Sequence, residues 1–393
     1  MAFAYKKYWC YCCKEVGHTY ANCFLKKSIN KKSEHLLSQG ALELYKQLLP
    51  TEENYVKRRK LVVKIKNILS EEVYLFGSSV NLLGTVTSDV DICVSTPSSE
   101  LENVFTLSEI LQEHNMEIVE CVSDAKVPIV KFWDPNLKLV CDVNVNNTIG
   151  IYNTQLLRSY VEIDQRIRPL VMIIKHWARQ RGLNNAARGT LSSYTWVCIV
   201  LNFLQMCDPP ILPVLQIPDI PLNNEIDLSV YNDIDSYKGF GKQNQESIGG
   251  LLFAFFKCFA YEFDYKSKVI SLRQGKFITK REKRWGYWKL CIEEPFDTSR
   301  NLGNGINHVS FKRIINEFRR AFRILYKYAN LNICCKITYR TPFDDFCDEC
   351  EQKDGTFFIS KKVLKKTQLY LELKSRILGS DNLDLGLINH ILG

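Results

Sequence analysis

At 393 residues the chain is long enough for two or three domains, and its 46% hydrophobic and 24% charged composition is that of a soluble globular protein. Its 52 basic against 43 acidic residues leave a formal charge of +9, which suits a polyanionic partner without separating RNA, DNA and an acidic membrane surface. Lys6 and Lys7 interrupt Met1–Trp9, and no apolar run approaches the length of a membrane span, so neither a signal peptide nor a membrane role is expected. The 15 cysteines are then read in an intracellular, reducing compartment, as metal ligands or small core residues.

Residues 1–30 are rich in cysteine and lysine. Cys10-x2-Cys13-x4-His18-x4-Cys23 has the ligand types and spacing of a CCHC zinc knuckle, and Gly17 supplies the tight turn so short a loop needs. A segment this small has almost no core, so Zn²⁺ binding, worth on the order of 10 kcal/mol in such peptides, would fold it. Cys12 fits no ligand position. Tyr11 and Tyr20 have the chemistry either to stack on unpaired bases or to cover the knuckle's own small core. A basic linker follows, with Lys26, Lys27, Lys31 and Lys32.

Ser33–Leu49 reads as a helix ended by Pro50, and Glu52–Leu69 as a second helix. Tyr74–Val94 and Ile118–Asn147 carry strand-like runs, with a helix near Leu101–His114 between them: a mixed α/β block. From Asp164 onward helices dominate. Ile167, Leu170, Val171, Ile174, Trp177 and Ala178 have the spacing of one buried helix face. Tyr194–Leu204 and Gly249–Ala260 read as buried helices, and five of the 12 prolines crowd into a loop at Pro209–Pro221. Helices resume at Ser247–Phe263 and Phe311–Tyr326, with a short strand at Val269–Ser271. Near the C-terminus Cys334, Cys335, Cys347 and Cys350 offer a candidate second zinc site.

The most informative segment is Phe76-Gly77-Ser78-Ser79, followed by Asp89-Val90-Asp91. A Gly-Ser turn offers N–H groups and a hydroxyl to phosphate oxygens. Carboxylates two apart on a strand point the same way, which turns Val90 into the core. Asp142 adds a third carboxylate from a strand-like run at Leu137–Val145, with Gly84 in the intervening loop. Three carboxylates beside a phosphate-binding turn suit a two-metal phosphoryl-transfer site, because Mg²⁺ takes oxygen ligands and completes its shell from water and substrate phosphates.

Gly189-Thr190-Leu191-Ser192-Ser193-Tyr194, preceded by Lys175-His176-Trp177-Ala178-Arg179, closely resembles the template-independent RNA nucleotidyltransferases, the terminal uridylyltransferases and atypical cytoplasmic poly(A) polymerases. The resemblance runs from about Leu36 to Tyr326 and includes Phe76-Gly77-Ser78, Asp89-Val90-Asp91, Cys141-Asp142, Asn153-Thr154 and Cys291–Asp297. It implies an α+β chain: a polymerase-β-like nucleotidyltransferase domain over residues 33–150 with its leading helices, a mainly helical central (PAP-associated) domain over 151–330, and a C-terminal extension over 331–393, after the knuckle of 1–30. The nucleotide would lie between the two larger domains. The resemblance further implies that Asp89, Asp91 and Asp142 bind Mg²⁺ or Mn²⁺, with Asp142 helping to deprotonate the RNA 3′-hydroxyl. Gly77, Ser78, Lys175, Arg179 and Ser193 would hold the triphosphate. Tyr194 would stack on the base, and Asn153 and Thr154 would contact the ribose. Cytoplasmic residence follows from the same resemblance, the nucleus being the other option.

The base-reading segment carries mixed signals. Uridylyltransferases have an acidic residue before the proline and a histidine five residues after it; here these positions hold Glu294 and Arg300. Glu293-Glu294-Pro295-Phe296-Asp297 is similar to the adenylating members, whereas Asn301-Leu302-Gly303 keeps the phrase of the uridylating ones. ATP is the preferred reading and UTP the alternative. No separate RNA-recognition domain is recognisable, which leaves a place for an RNA-binding adaptor protein. Basic clusters at Lys57–Lys60, Lys280–Arg284 and Arg319–Arg323 read either as parts of an RNA path or as solvated helix faces. A small-molecule nucleotidyltransferase and an inactive RNA-binding protein are the competing functional classes; the knuckle and basic charge oppose the first, and the complete set of carboxylates opposes the second.

Overall fold

The protein is represented by a computed structural model that describes residues 28–215 and 234–336. The knuckle cluster Cys10, Cys13, His18 and Cys23, together with Cys347 and Cys350, lies outside the described residues. Two helices lead, α1 (Lys31–Leu48) and α2 (Glu52–Leu69). Each starts on a side-chain cap, Asn30 and Thr51, whose oxygen accepts an otherwise unpaired first-turn N–H. Among the described residues, five strands form one mixed sheet in the order β1-β2-β5-β4-β3: β1 (Glu72–Phe76), β2 (Val90–Ser95), β3 (Glu117–Val122), β4 (Ile129–Asp134) and β5 (Leu139–Val145). Only the central β2–β5 pair is parallel. Helix α3 (Val104–Glu113) crosses between β2 and β3 and packs against β3 and β4.

The alternation expected for β2 holds. Val90, Ile92 and Val94 are fully buried and join Leu61 and Ile65 of α2, Leu107 and Leu111 of α3, and Phe132 and Val143 in the core of the sheet layer. The opposite side of β2 carries Asp91. Charge can be placed there because that side faces the cleft.

A second core belongs to the helices α4 (Thr148–Ile163), α5 (Ile167–Gln180), α6 (Ser193–Gln205), α7 (Ile248–Lys257) and α9 (His308–Tyr328). Trp177 is its hub: its ring meets Trp196, Phe256 and Phe318 with centroids 5.6, 4.8 and 5.5 Å away. Truncating so large a buried aromatic costs about 3–5 kcal/mol. The two leading helices divide between the cores. Helix α2 rests on the sheet, but Leu37, Ala41 and Leu44 of α1 are buried among the helices, where α1 packs on α5 and α7. A domain beginning at residue 33 therefore includes a helix that packs with the other core. Beyond α7, a hairpin of β6 (Lys268–Ser271) and β7 (Lys276–Thr279) leads into the short helix α8 (Lys280–Lys283). The final described helix, α10 (Leu331–Cys335), buries Cys334 and Cys335 in the helical core. Cys347 and Cys350, the other two residues of the candidate second zinc site, lie outside the described residues.

No helix among the described residues is long and apolar enough to cross a membrane.

Candidate active site

The carboxylate side of the site is set by strand register. Asp91 of β2 pairs in register with Asp142 of β5 and with Phe76 at the end of β1, so its carboxylate stands beside Asp142 on one face and next to the turn that follows β1. The turn is a single 3₁₀ turn, Gly77–Ser79. Gly77 has φ +64°, and a Cβ on it would come within 2.2 Å of Asp91 Oδ2, so no side chain fits. The Ser78 N–H donates to the Asp91 carboxylate. Gly84 makes a second close approach, since a Cβ there would meet the Ser78 carbonyl at 2.7 Å.

Loss of hydration, then the like charges of Asp142 and Asp89, push the Asp91 carboxyl up to about 7. Asp142 is raised as well, chiefly by burial. Both want a cation, and here it is Lys131 of β4. Its Nζ lies 2.9 Å from Asp142 Oδ1 and 3.2 Å from Asp89 Oδ2. Burial opposes the ammonium charge, but Asp89 and then Asp142 outweigh that and raise its pKa. Asp142 Oδ1 is buried and faces the ammonium, whose charge partly offsets the cost of burying the carboxylate. Among the described residues no three ligating side chains converge on one point. The donor set nevertheless fits Mg²⁺ or Mn²⁺: it consists of carboxylate oxygens gathered on one side of the sheet, the hard donors these ions take, and they already attract one cationic group.

Three residues to which sequence reasoning gave no site role support the site, two of them on this face. Arg58, within the Lys57–Lys60 cluster, is 2% exposed. Its guanidinium donates to Ser79 Oγ and to the carbonyls of Thr85 and Ser88, bracing the loop between the turn and Asp89. That corrects its reading as an RNA-facing or solvated residue. The other two are Lys131, described above, and Lys126, described below. A polar residue flanked by buried Val130 and Phe132 on a strand was the signal for Lys131; for Arg58 the sequence held none.

The helices supply the second wall. Lys175 Nζ donates to the Leu83 carbonyl at 2.7 Å, and Arg179 to Thr87 Oγ1 at 2.8 Å, so both reach the loop preceding Asp89. Burial pushes the Lys175 ammonium down to about 8. Gly189–Tyr194 is a helix entrance. Ser192 caps α6 by accepting from the Thr195 N–H, leaving Ser193, hydrogen-bonded to Asn184, and Tyr194 in its first turn. Thr154 is buried: its hydroxyl accepts from the Gly77 N–H and donates to the Gly150 carbonyl. It thereby braces the turn.

Tyr194, Asn153 and Glu294 converge from three segments. The Tyr194 hydroxyl lies 2.6 Å from Asn153 Oδ1 and 2.8 Å from Glu294 Oε1, and Asn153 Nδ2 donates to the same Glu294 oxygen at 3.0 Å. The other Glu294 oxygen accepts from the N–H groups of Phe296 and Asp297. Glu294 thus orients Tyr194 and folds its own loop, with both oxygens engaged. The loop is held from outside by Lys283, which donates to the Thr298 carbonyl and to buried Glu293. It is also tied to the sheet layer by a 2.6 Å ion pair between Asp297 and Lys126, which lies between β3 and β4. Arg300 is exposed beside it, its N–H donating to the Asp297 carbonyl.

The chain is 40% identical over 333 residues to the poly(A) RNA polymerase cid11 of Schizosaccharomyces pombe, an alignment that covers 82% of this chain and 69% of cid11. The chain belongs to the Cid1-type terminal nucleotidyltransferases. Its residues 37–162 match the central palm domain of the mitochondrial-like poly(A) RNA polymerases, and residues 247–300 match the Cid1 family poly A polymerase domain. The poly(A) RNA polymerase cid13 of the same yeast is 42% identical, over 80% of this chain, and the chain spans only 59% of the length of cid13. Among solved structures, Cid1 in complex with its short product ApU superposes with a TM-score of 0.69 at 28% identity, over 78% of this chain and 100% of that one. The Cid1 poly(U) polymerase bound to MgGTP gives 0.68 at 28% identity, over 77% and 98%.

Proposed function

We propose that the chain adds AMP to RNA 3′-hydroxyl ends without a template, as a poly(A) polymerase. The observation that carries this reading is the register of Asp91 against Asp142 beside the Gly77 turn, with Lys175 and Arg179 reaching the same loop from the helices. Divalent cations held by Asp89, Asp91 and Asp142 would neutralise the charge that develops on the transferred phosphoryl group. The chain's own groups do the rest. The Gly77–Ser79 turn and the Lys175 and Arg179 cations bind the triphosphate, and the Tyr194 ring receives the base. In this reading Asp142 takes the proton of the 3′-hydroxyl. Ser193 in the first turn of α6 is within the same reading as a phosphate contact.

ATP is favoured because cid13, cid11 and the vertebrate GLD2 proteins that this chain resembles are named poly(A) RNA polymerases. UTP is the alternative, since Cid1 is named a poly(U) polymerase and Asn301 fixes this chain's loop by accepting from the N–H groups of Ile292 and Gly303. An RNA primer incubated with the protein, Mg²⁺ or Mn²⁺, and each nucleoside triphosphate separately tests both. Extension of small-molecule acceptors in place of RNA would overturn the reading. A structural Zn²⁺ on Cys10, Cys13, His18 and Cys23, cytoplasmic residence and an RNA-binding adaptor partner belong to the same proposal. Metal analysis finding no zinc in freshly purified protein would remove the first.

A further inference from the structure

We infer that Lys131 is a built-in counter-ion of the carboxylate site, which a divalent cation must displace in order to bind. The inference rests on the reading of Asp89, Asp91 and Asp142 as metal ligands and adds a competitor to it. Lys131 is the Cα partner of Asp142 across the antiparallel β4–β5 pair, so backbone pairing fixes where its stem starts. Its neighbours Val130 and Phe132 are fully buried on the other face, which leaves the Lys131 stem directed to the carboxylate face. From there the ammonium reaches Asp142 Oδ1 at 2.9 Å and Asp89 Oδ2 at 3.2 Å, oxygens of two carboxylates assigned to the metals.

An ammonium and a divalent cation compete for those oxygens. Mg²⁺ needs its ligands at about 2.0–2.1 Å in fixed octahedral directions, and two cations so close repel each other. Among the described residues no three ligating side chains converge on one point. Departure of the ammonium would free two carboxylates to turn toward one ion. The Lys131 side chain is 25% exposed, so a route out exists, and its flexible four-carbon stem allows the swing. Groups on the facing elements add to the pull that keeps it there. Asp91 on β2 is one. Glu120, its Cα partner on β3, is another and has interactions of its own. The lysine would thus keep mutually repelling carboxylates together without metal and set how much metal is needed to replace it.

The test is Mn²⁺ binding to the full chain without nucleotide, followed by electron paramagnetic resonance. Lys131→Met keeps the length of the stem and removes the charge. It should bind Mn²⁺ at least about tenfold more tightly than wild type, the smallest effect a charge this near ordinarily has on a neighbouring ionisable group. Its metal-free melting temperature should fall and its gain on adding Mn²⁺ should grow. Lys131→Arg should stay within about threefold of wild type, since the charge remains. Wild-type protein gives an independent readout should Lys131→Met fail to fold. Labelling of Lys131 by an amine-reactive reagent, read by mass spectrometry, should rise when Mn²⁺ is added. Equal or weaker binding by Lys131→Met, or labelling that stays constant or falls, overturns the inference and leaves the metal site standing. Absence of Mn²⁺ binding by wild type and variant alike overturns the metal site itself and the inference with it.

Discussion

The two walls of the cleft are built by different means. The carboxylate wall is a product of backbone pairing: Asp91, Asp142 and Lys131 are placed by in-register positions on three adjacent strands, and Gly77 by a turn that tolerates no side chain. The Tyr194 wall is a product of side-chain hydrogen bonds between distant segments. Tyr194 is 41 residues from Asn153 and 100 from Glu294, and all three hang on one carboxylate. A sheet register cannot shift without turning a strand inside out, whereas a side-chain network can be retuned by one substitution. On the proposed function, the chemistry would sit on the rigid wall and the choice of nucleotide on the adjustable one.

The largest expected effects strike the rigid wall. Asp91→Ala should reduce primer extension by at least about a hundredfold while the protein still unfolds cooperatively on heating. Wild-type extension by that variant would break the comparison at its root. Gly77→Ala tests the turn itself. Its Cβ would lie 2.2 Å from Asp91 Oδ2 at a φ of +64°, so a loss of about 1–3 kcal/mol in stability is expected. Displacement of the carboxylate should slow extension about ten- to a hundredfold. A Gly77→Ala variant with normal kcat and normal melting temperature would show that the turn is free to relax.

Local pattern made much of this wall legible. The alternation of Asp89, Val90 and Asp91, the Gly-Ser turn and the third carboxylate all lie within strands or beside them, where period two reports which face each residue takes. The periodicity of α5 likewise gave its buried face, and Trp177 is the hub of that core. What stayed hidden is what lies opposite. Arg58 looked like one more surface cation in α2, because nothing local says that the loop at Ser79–Ser88 will wrap its guanidinium. Lys280 and Lys283 looked like solvated basic residues, yet one donates to the carbonyls of Trp288 and Lys289 and the other to Glu293. Thr154 was legible as a site residue, while its place beneath the Gly77 turn depends on how α4 packs against β1. Placing α1 in the helical core likewise depends on contacts far along the chain.

On the adjustable wall the effects should be smaller and fall on binding. Tyr194→Phe removes the hydroxyl held between Asn153 Oδ1 and Glu294 Oε1, leaving a buried carboxylate with one donor fewer. A cost of about 1–3 kcal/mol is expected, appearing mostly as a raised KM for the nucleotide with kcat nearly unchanged. A fall in kcat at constant KM would place Tyr194 with the chemistry. Arg300→His exchanges an exposed rigid fork for a small ring beside the loop. It should shift the ratio of ATP to UTP incorporation toward UTP by about tenfold, a change that needs only about 1–3 kcal/mol. Wild type that incorporates only UMP from a mixture of four triphosphates would reverse the assigned preference.

The smallest effect tests the bridge between the walls. Lys175 stands on α5 but donates to the Leu83 carbonyl in the loop before Asp89. Burial lowers its pKa from the ordinary 10.5 to about 8, with Arg179 adding to the fall and Asp91 opposing it. The fold therefore prefers the neutral amine. The nucleotide-free protein should be relieved of a stability cost as pH rises from about 8 to 10.5, compared with Lys175→Gln. Triphosphate binding has the opposite sign, because it needs the charged form, which is lost as pH rises through about 8. KM for the nucleotide should then climb severalfold between about pH 7 and 9, less than the full charge is worth because bound triphosphate itself draws the proton back. Lys175→Gln should show a high KM at both ends and no climb. A wild-type KM that stays flat across that range, with Lys175→Gln equally flat and equally low, would mean that the helical wall reaches the loop without touching the phosphates.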